Sequence, residues 1–85
     1  MASKTCNGYR NYQTWNVALW FANDESLYLH AKDARAVMPH GRFNRNRARD
    51  FVYDTLPNGT PDLQDRRMPY YGVDWQAVSA AFNTL

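Results

Sequence analysis

The chain is 85 residues long; 45% of the residues are hydrophobic and 15% are aromatic. This length allows one small domain and excludes the large barrel and dinucleotide-binding scaffolds on which many enzymes are built. Because the formal net charge is only +2 and large apolar side chains are frequent, the composition also excludes a disordered chain.

The hydrophobic pattern predicts an all-α protein, a small four-helix bundle with an ordered loop before the C-terminal helix. Residues 9–85 are expected to form this single helical domain. Residues 1–8 are expected to form a flexible tail, because they lack apolar periodicity and end in the turn signal Asn7-Gly8.

The first helix is predicted to begin at a cap, Asn11 or Thr14, and to end near Ala22. Apolar residues recur there at helical spacing and predict a buried stripe of Trp15, Ala18, Leu19 and Ala22. Trp20 falls beside this stripe. We therefore expect its ring near the edge of the domain, where it is available to a partner.

The second helix is predicted to begin at the cap Asp24 and to end at Pro39, because the residue before a proline disfavours helix. Its predicted inward stripe comprises Leu27, His30, Ala31, Ala34 and Met38. On this stripe, His30 is interpreted as a core histidine rather than a catalytic base. The pair His40-Gly41 completes the turn that follows.

A third helix is predicted from Arg42 to about Leu56, with a buried face of Ala48, Phe51, Val52 and Leu56. On its outer face Arg42, Arg45 and Arg49 are expected to align, since they lie at positions i, i+3 and i+7. Arg47 is placed to pair with Asp50 or Asp54. Phe43 and Tyr53, beside the arginines, are candidates for stacking on nucleic-acid bases.

Residues 60–72 have no period, and the prediction is an ordered loop pinned by Leu63, Met68 and Tyr70 or Tyr71. A short strand or 3₁₀ turn within it is left open. The last helix is predicted to begin at the cap Asp74 and to run for about eleven residues. Its apolar face comprises Trp75, Val78, Phe82 and Leu85.

One segment of the chain, Asn7–Asp24, has the sequence N-G-Y-R-N-Y-Q-T-W-N-V-A-L-W-F-A-N-D. It resembles a group of small, mostly uncharacterised proteins of bacterial viruses, plasmids and integrated elements that share an N-Y-x-T-W-N-V-A-L-W-x-x-N-D signature. The pair Leu27-Tyr28 and the ending Gly72–Trp75 resemble the same group. The resemblance implies a common fold and a mobile-element origin, and it implies no catalytic residues.

The charge is distributed unevenly along the chain. Six basic residues and one acidic residue lie between Lys32 and Arg49, which gives this segment a charge of +5, whereas the remainder carries −3. Such a patch is suited to phosphates or to an acidic protein surface. The candidate partner-binding residues are Arg42, Arg45, Arg47, Arg49, Trp20, Arg66, Arg67 and Tyr70.

Catalytic and metal sites are not indicated. One cysteine, Cys6, excludes an internal disulfide, and together with His30 and His40 it does not supply a four-ligand zinc site. No nucleophile–base pattern or phosphate-binding glycine loop is present. We therefore expect no catalytic residue, no metal and no cofactor, and we do not expect an enzyme.

The apolar run Trp15–Ala22 is too short for a membrane span, and the N-terminus has no apolar signal core. The expected compartment is therefore the cytoplasm of a host cell. The leading hypothesis is a mobile-element accessory protein, monomeric or homodimeric, that inhibits a host defence protein or ribonucleoprotein complex through protein–protein contacts, as anti-CRISPR proteins do. The alternative is a small basic protein that binds nucleic acid directly.

Overall fold

The computed structural model describes residues 7–85. Within these residues the chain is all-helical, with four α-helices, one 3₁₀ turn and no strand. The helices are α1 (Tyr12–Asn23), α2 (Glu25–Ala36), α3 (Arg45–Thr55) and α4 (Trp75–Phe82), and the 3₁₀ turn Pro39–Gly41 lies between α2 and α3. Of the predicted tail, residues 1–6, including Cys6, lie outside the described residues, whereas Asn7 and Gly8 form the predicted turn.

Each α-helix begins at a side-chain cap, which satisfies a backbone N–H that has no partner within the helix. The caps are Asn11, Asp24, Asn44 and Asp74, and each side chain accepts a hydrogen bond from the N–H three residues ahead. The predicted caps Asp24 and Asp74 are thereby confirmed. For α1 the cap is Asn11, and Thr14 lies inside the helix.

The predicted start of α3 at Arg42 is wrong. His40 and Gly41 both have positive φ angles, of 60° and 67°, and the chain leaves the turn in an extended conformation. Phe43 is buried in this extended stretch, where its N–H donates to Asn83 Oδ1 at 2.8 Å and its carbonyl accepts from Asn83 Nδ2 at 3.0 Å. Helix α3 therefore begins only after the cap Asn44.

Those same Asn83 hydrogen bonds lie just beyond the last residue of α4. The helix ends at Phe82, after eight residues, rather than after the predicted eleven. The contact fixes the end of α4 against the entry to α3.

All four phenylalanines of the chain meet in one cluster at the centre of the fold. The Phe82 ring lies 5.0 Å from Phe21, 5.2 Å from Phe43 and 5.9 Å from Phe51, measured between ring centroids. Their tilted and edge-on packing is the arrangement that aromatic quadrupoles prefer. Phe43 is therefore a core residue, and the predicted role in base stacking is wrong.

Helix α2 packs on the core through Ala31 and Leu27, and His30 does not lie on its inward face. His30 is exposed, and its ring packs against the edge of the core at 5.0 Å from the Phe51 centroid. The predicted inward stripe of α2 therefore included one residue, His30, that does not face the core. Ala22, at the end of the predicted α1 stripe, is also exposed.

Residues 57–72 form a series of turns, without a strand or a 3₁₀ helix. Leu63 and Tyr70 are buried and attach this segment to the core, whereas Met68 is 62% exposed and does not pin it as predicted. Gly59 begins the segment with a φ angle of 102°, and a Cβ there would lie 2.8 Å from the Pro69 Cβ. Only glycine fits this close approach.

Candidate partner-binding surface

The polar residues at the start of α1 hold the segment that precedes α4. The Asn11 amide donates to the Gly72 carbonyl at 2.8 Å, and the Gln13 amide donates to the Tyr71 carbonyl at 2.9 Å. The Thr14 hydroxyl accepts from the Asp74 N–H at 2.9 Å. The polar part of the α1 sequence is therefore structural, since it satisfies backbone groups about 60 residues away in the sequence.

Asn16 extends this polar contact into the interior, where its side chain is only 1% exposed. Its amide oxygen accepts from the Thr60 hydroxyl, and its amide nitrogen donates to Asp62 Oδ2 at 2.8 Å. The Trp20 indole N–H donates to the same carboxylate oxygen, also at 2.8 Å. The hydrogen bonds from Asn16 and Trp20 stabilise the ionised form and so lower the pKa of Asp62 below its usual value of 3.8.

This pKa shift predicts an acid-sensitive contribution to stability. Because the pKa of Asp62 is lower in the folded chain, its carboxylate stabilises the fold above pH 3.8, and the stabilisation disappears as the pH falls through the folded-state value. We expect Asp62→Asn to lower the melting temperature at pH 7 and to approach the wild type below pH 3.8. Thermal unfolding from pH 7 to pH 2 tests this, with Asp65→Asn as the control. A constant difference between wild type and Asp62→Asn would contradict it.

The structure therefore places Trp20 at the edge of the domain, as predicted, but half-buried and engaged with Asp62. Its ring borders a cavity of about 200 Å³ beside Leu19 and Asp24. The hydrogen bond between the Trp20 indole and Asp62 attaches the loop of residues 60–72 to α1. Part of the Trp20 ring surface remains open to a partner.

Tyr70 does not belong to the exposed surface. It is buried, and its hydroxyl donates to the Leu56 carbonyl at 2.6 Å. Burial raises the pKa of Tyr70 above its usual range, and the neighbouring Tyr53 raises it further. The sequence offered two roles for Tyr70, contact with a partner and attachment of the loop to the core. Its burial and its hydrogen bond to Leu56 are those of a residue that attaches the loop.

Arg66 and Arg67 are exposed in the same segment. The Arg66 guanidinium lies over the Tyr12 ring, 5.5 Å from its centroid, which is a cation–π contact. The Arg67 side chain forms no hydrogen bond or ion pair within residues 7–85. Both remain accessible, and Arg66 lies on the side of the molecule that carries Tyr12.

The four arginines of residues 42–49 are all exposed, but they do not form one line. Arg45 and Arg49 lie one helical turn apart on α3 and face a cleft of about 380 Å³ beside the start of α4. Arg10, from the chain before α1, lines the same cleft. We call this group of three residues the arginine cleft.

Arg42 and Arg47 line a different cavity, of about 280 Å³, which also contains His40. The expected alignment of Arg42 with Arg45 and Arg49 fails because Arg42 precedes the helix. Two cationic surfaces therefore flank α3, one on each side. The sequence did not predict that Arg10 lines the arginine cleft, because a residue outside any helix has no periodic pattern that would place it on a face.

Few of these cations are neutralised by carboxylates within residues 7–85. Arg49 pairs with Asp50 at 3.2 Å, and Arg10 lies 4.0 Å from Asp74. Arg47 forms no ion pair with Asp50 or Asp54, contrary to the predicted pairing. Arg42 and Arg45 likewise form none, so three exposed guanidinium groups are available to a partner.

Two of the arginines also occupy an unfavourable position in their own helix. The first turn of α3 contains no acidic residue and carries Arg45 and Arg47. A helix N-terminus bears a partial positive charge, which destabilises nearby cations. Departures from such local rules are typical of functional sites.

We expect Arg47→Glu to stabilise the protein. Glutamate at this third helical position suits the helix dipole and reaches back to the Asn44 N–H, as in a capping box, so the free energy of unfolding should rise by about 0.5–1 kcal/mol. In a domain of this size that change raises the melting temperature by roughly 2–8 °C. Thermal unfolding measures it against Arg67→Glu, which makes the same charge change outside a helix. Equal effects of the two substitutions would contradict the prediction.

No group of three or more histidine, cysteine, aspartate or glutamate side chains in residues 7–85 is placed to hold a metal ion. None of the helices in this part of the chain is long and apolar enough to cross a membrane. What the described residues do offer is a rigid helical body with cations on its surface.

Fold and surface thus define a small helical protein with an exposed cationic face. The chain belongs to the DUF7249 family, described as a family of unknown function, whose sequence profile matches residues 2–81. No curated protein and no solved structure matches it significantly. The predicted resemblance to an uncharacterised family is confirmed at this level.

Proposed function

We propose that this chain is a non-enzymatic accessory protein of a mobile genetic element, which binds and inhibits a host defence complex in the host cytoplasm, as anti-CRISPR proteins do. The mobile-element origin comes from the resemblance of the α1 sequence. The scaffold proposed for this role is a four-helix bundle with an ordered loop over residues 60–72, held by the side chains of α1.

The observation that carries the proposal is the set of exposed guanidinium groups on both sides of α3. Arg42, Arg45 and Arg47 have no carboxylate partner within residues 7–85, and Arg45 and Arg47 lie where a cation weakens the helix. An arginine forms paired hydrogen bonds with carboxylates and phosphates alike. The partner surface is therefore anionic, and in the leading version it is an acidic surface of a host protein.

A pull-down from host lysate tests this proposal. The wild type should retain a defence complex, and Arg42→Glu/Arg45→Glu/Arg49→Glu should lose it. The matched control is Ser26→Glu/Lys32→Glu/Val37→Glu/Asn58→Glu/Gln64→Glu, which changes the net charge by the same amount outside the candidate partner-binding residues and should retain the complex. Recovery of no complex by the wild type, or equal recovery by both variants, would overturn the proposal.

The second candidate function is direct binding of nucleic acid. One observation favours it: the Tyr53 ring is 47% exposed, one helical turn beyond Arg49, and lies 6.0 Å from the Trp75 ring. Aromatic rings beside cations are typical of nucleic-acid surfaces. Binding would then weaken steeply with salt, whereas a flat salt response would exclude this function.

A further inference from the structure

We infer that the arginine cleft and the adjoining Trp75–Tyr53 ring pair form a binding site for single-stranded nucleic acid. In this site Arg45, Arg49 and Arg10 contact backbone phosphates, and an unpaired base stacks on the exposed aromatic surface. The inference rests on the second proposed function and deepens it, because it specifies the location of the site and the strandedness of the ligand.

The arginine cleft collects charge from two separate parts of the chain. Arg45 and Arg49 come from the outer face of α3, and Arg10 comes from the segment before α1. The open cleft, of about 380 Å³, lies where these three side chains meet the first turn of α4. Guanidinium groups that approach one space from different directions suit the several oxygens of a phosphate group.

The carboxylates near the cleft leave it cationic. Asp74 is the acidic residue among those that line it; its Oδ1 caps α4 by accepting from the Ala77 N–H, and its Oδ2 lies 4.0 Å from Arg10 Nε. Asp50, which pairs with Arg49, faces the opposite cavity together with Arg47. Three guanidinium groups against one lining carboxylate favour an anionic ligand.

The aromatic neighbours determine which anion fits best. Trp75 lines the cleft itself, and Tyr53 continues the i, i+4, i+8 stripe that begins with Arg45 and Arg49. Tyr70 packs edge-on against both rings, 5.0 Å from Tyr53 and 5.7 Å from Trp75, and so holds them from the buried side. Stacking on such a platform requires an unpaired base, which a single strand offers and a duplex does not.

The opposite side of α3 provides a matched control. Arg42→Gln/Arg47→Gln and Arg45→Gln/Arg49→Gln each remove two positive charges and lower the formal net charge from +2 to 0. Each pair contains one arginine from the first turn of α3. Removing a cation there does not destabilise the helix, because the helix N-terminus carries a partial positive charge. A difference between the two variants therefore reports the position of the charge rather than its amount.

The experiment is a fluorescence anisotropy titration of the whole chain with a labelled 12-nucleotide oligo(dT), from 25 to 200 mM salt. We expect Arg45→Gln/Arg49→Gln to weaken binding at least tenfold and to reduce the salt slope by about 1.4, from about 0.7 for each lost single-strand contact. Arg42→Gln/Arg47→Gln should stay within about twofold of the wild type. Tyr53→Leu should weaken binding about fivefold or more without changing the salt slope.

Further arms identify the source of the phosphate and separate the two proposals. A duplex of equal length should bind more weakly, and millimolar mononucleotide should not displace the oligonucleotide. Equal losses in the two arginine variants would overturn the cleft while leaving nucleic-acid binding intact. Duplex binding as tight as single-strand binding would overturn the assignment of strandedness. No binding by the wild type at 25 mM salt would overturn both this inference and the second function, whereas the pull-down independently tests the first.

Discussion

Phe82→Ala should lower the free energy of unfolding by about 3–5 kcal/mol, the range for truncating a buried phenylalanine. Phe82 is 1% exposed and contacts the rings of Phe21, Phe43 and Phe51. Its removal would leave a cavity among rigid rings that come from different elements and have little room to close around it. A chain of 85 residues has roughly 4–13 kcal/mol of stability, so the loss is a large part of the total.

Urea unfolding followed by far-UV circular dichroism measures this effect. The control is Val37→Ala, which also removes an apolar side chain but at a position that is 83% exposed, and it should change stability by less than about 0.5 kcal/mol. Similar midpoints for the two variants would show that the four phenylalanines do not form the central cluster.

The sequence was sufficient where the signals are local. The caps Asp24 and Asp74 lie directly before apolar periods, and each marks the first turn of a helix without reference to the rest of the chain. The all-helical class follows for the same reason. The buried residues Ala18, Ala31 and Val78 lie on the faces that helical spacing predicts.

The errors arise where a residue's environment depends on distant parts of the chain. Phe43 and Asn83 are 40 residues apart, yet their hydrogen bonds determine where α3 begins and where α4 ends. No local sequence pattern around Phe43 or Asn83 indicates that the two residues are in contact. His30 shows a milder case, because the difference between a core position and an edge position depends on how α2 is rotated against Phe51.

The candidate surface shows the same division. The basic character of residues 32–49 could be counted from the sequence, and the exposure of Arg45, Arg47 and Arg49 follows from their helical positions. The separation into two surfaces could not be predicted, because it depends on the starting residue of α3. Arg10 joins the cleft only through tertiary structure, where Asp74 lies between it and α4.

The polar residues of α1 illustrate how one motif admits two interpretations. In this segment Tyr and Trp are typical of recognition surfaces, whereas Asn and Thr are typical of helix starts. Asn11, Thr14 and Asn16 all direct their side chains to the segment before α4. These side chains therefore have a structural role, and the candidate partner-binding arginines lie in and next to α3.

Asn16→Leu should lower the free energy of unfolding by about 2–4 kcal/mol, because it removes three hydrogen bonds and leaves a buried hydroxyl without a partner. That hydroxyl belongs to Thr60, which is fully buried. Asp62 would also lose its donor from Asn16 and retain the one from Trp20. The loss should appear in urea unfolding followed by circular dichroism and by tryptophan fluorescence.

The double variant Asn16→Leu/Thr60→Val separates the hydrogen bond from the packing. Replacing both partners with apolar groups of similar size removes the unsatisfied hydroxyl, so the double variant should be less destabilised than the sum of the single variants by about 0.5–3 kcal/mol. Strictly additive losses would show that the Asn16 and Thr60 side chains do not interact. A coupling of the expected size would establish that the polar start of α1 stabilises the loop from within the core, because the two residues lie 44 positions apart in the sequence.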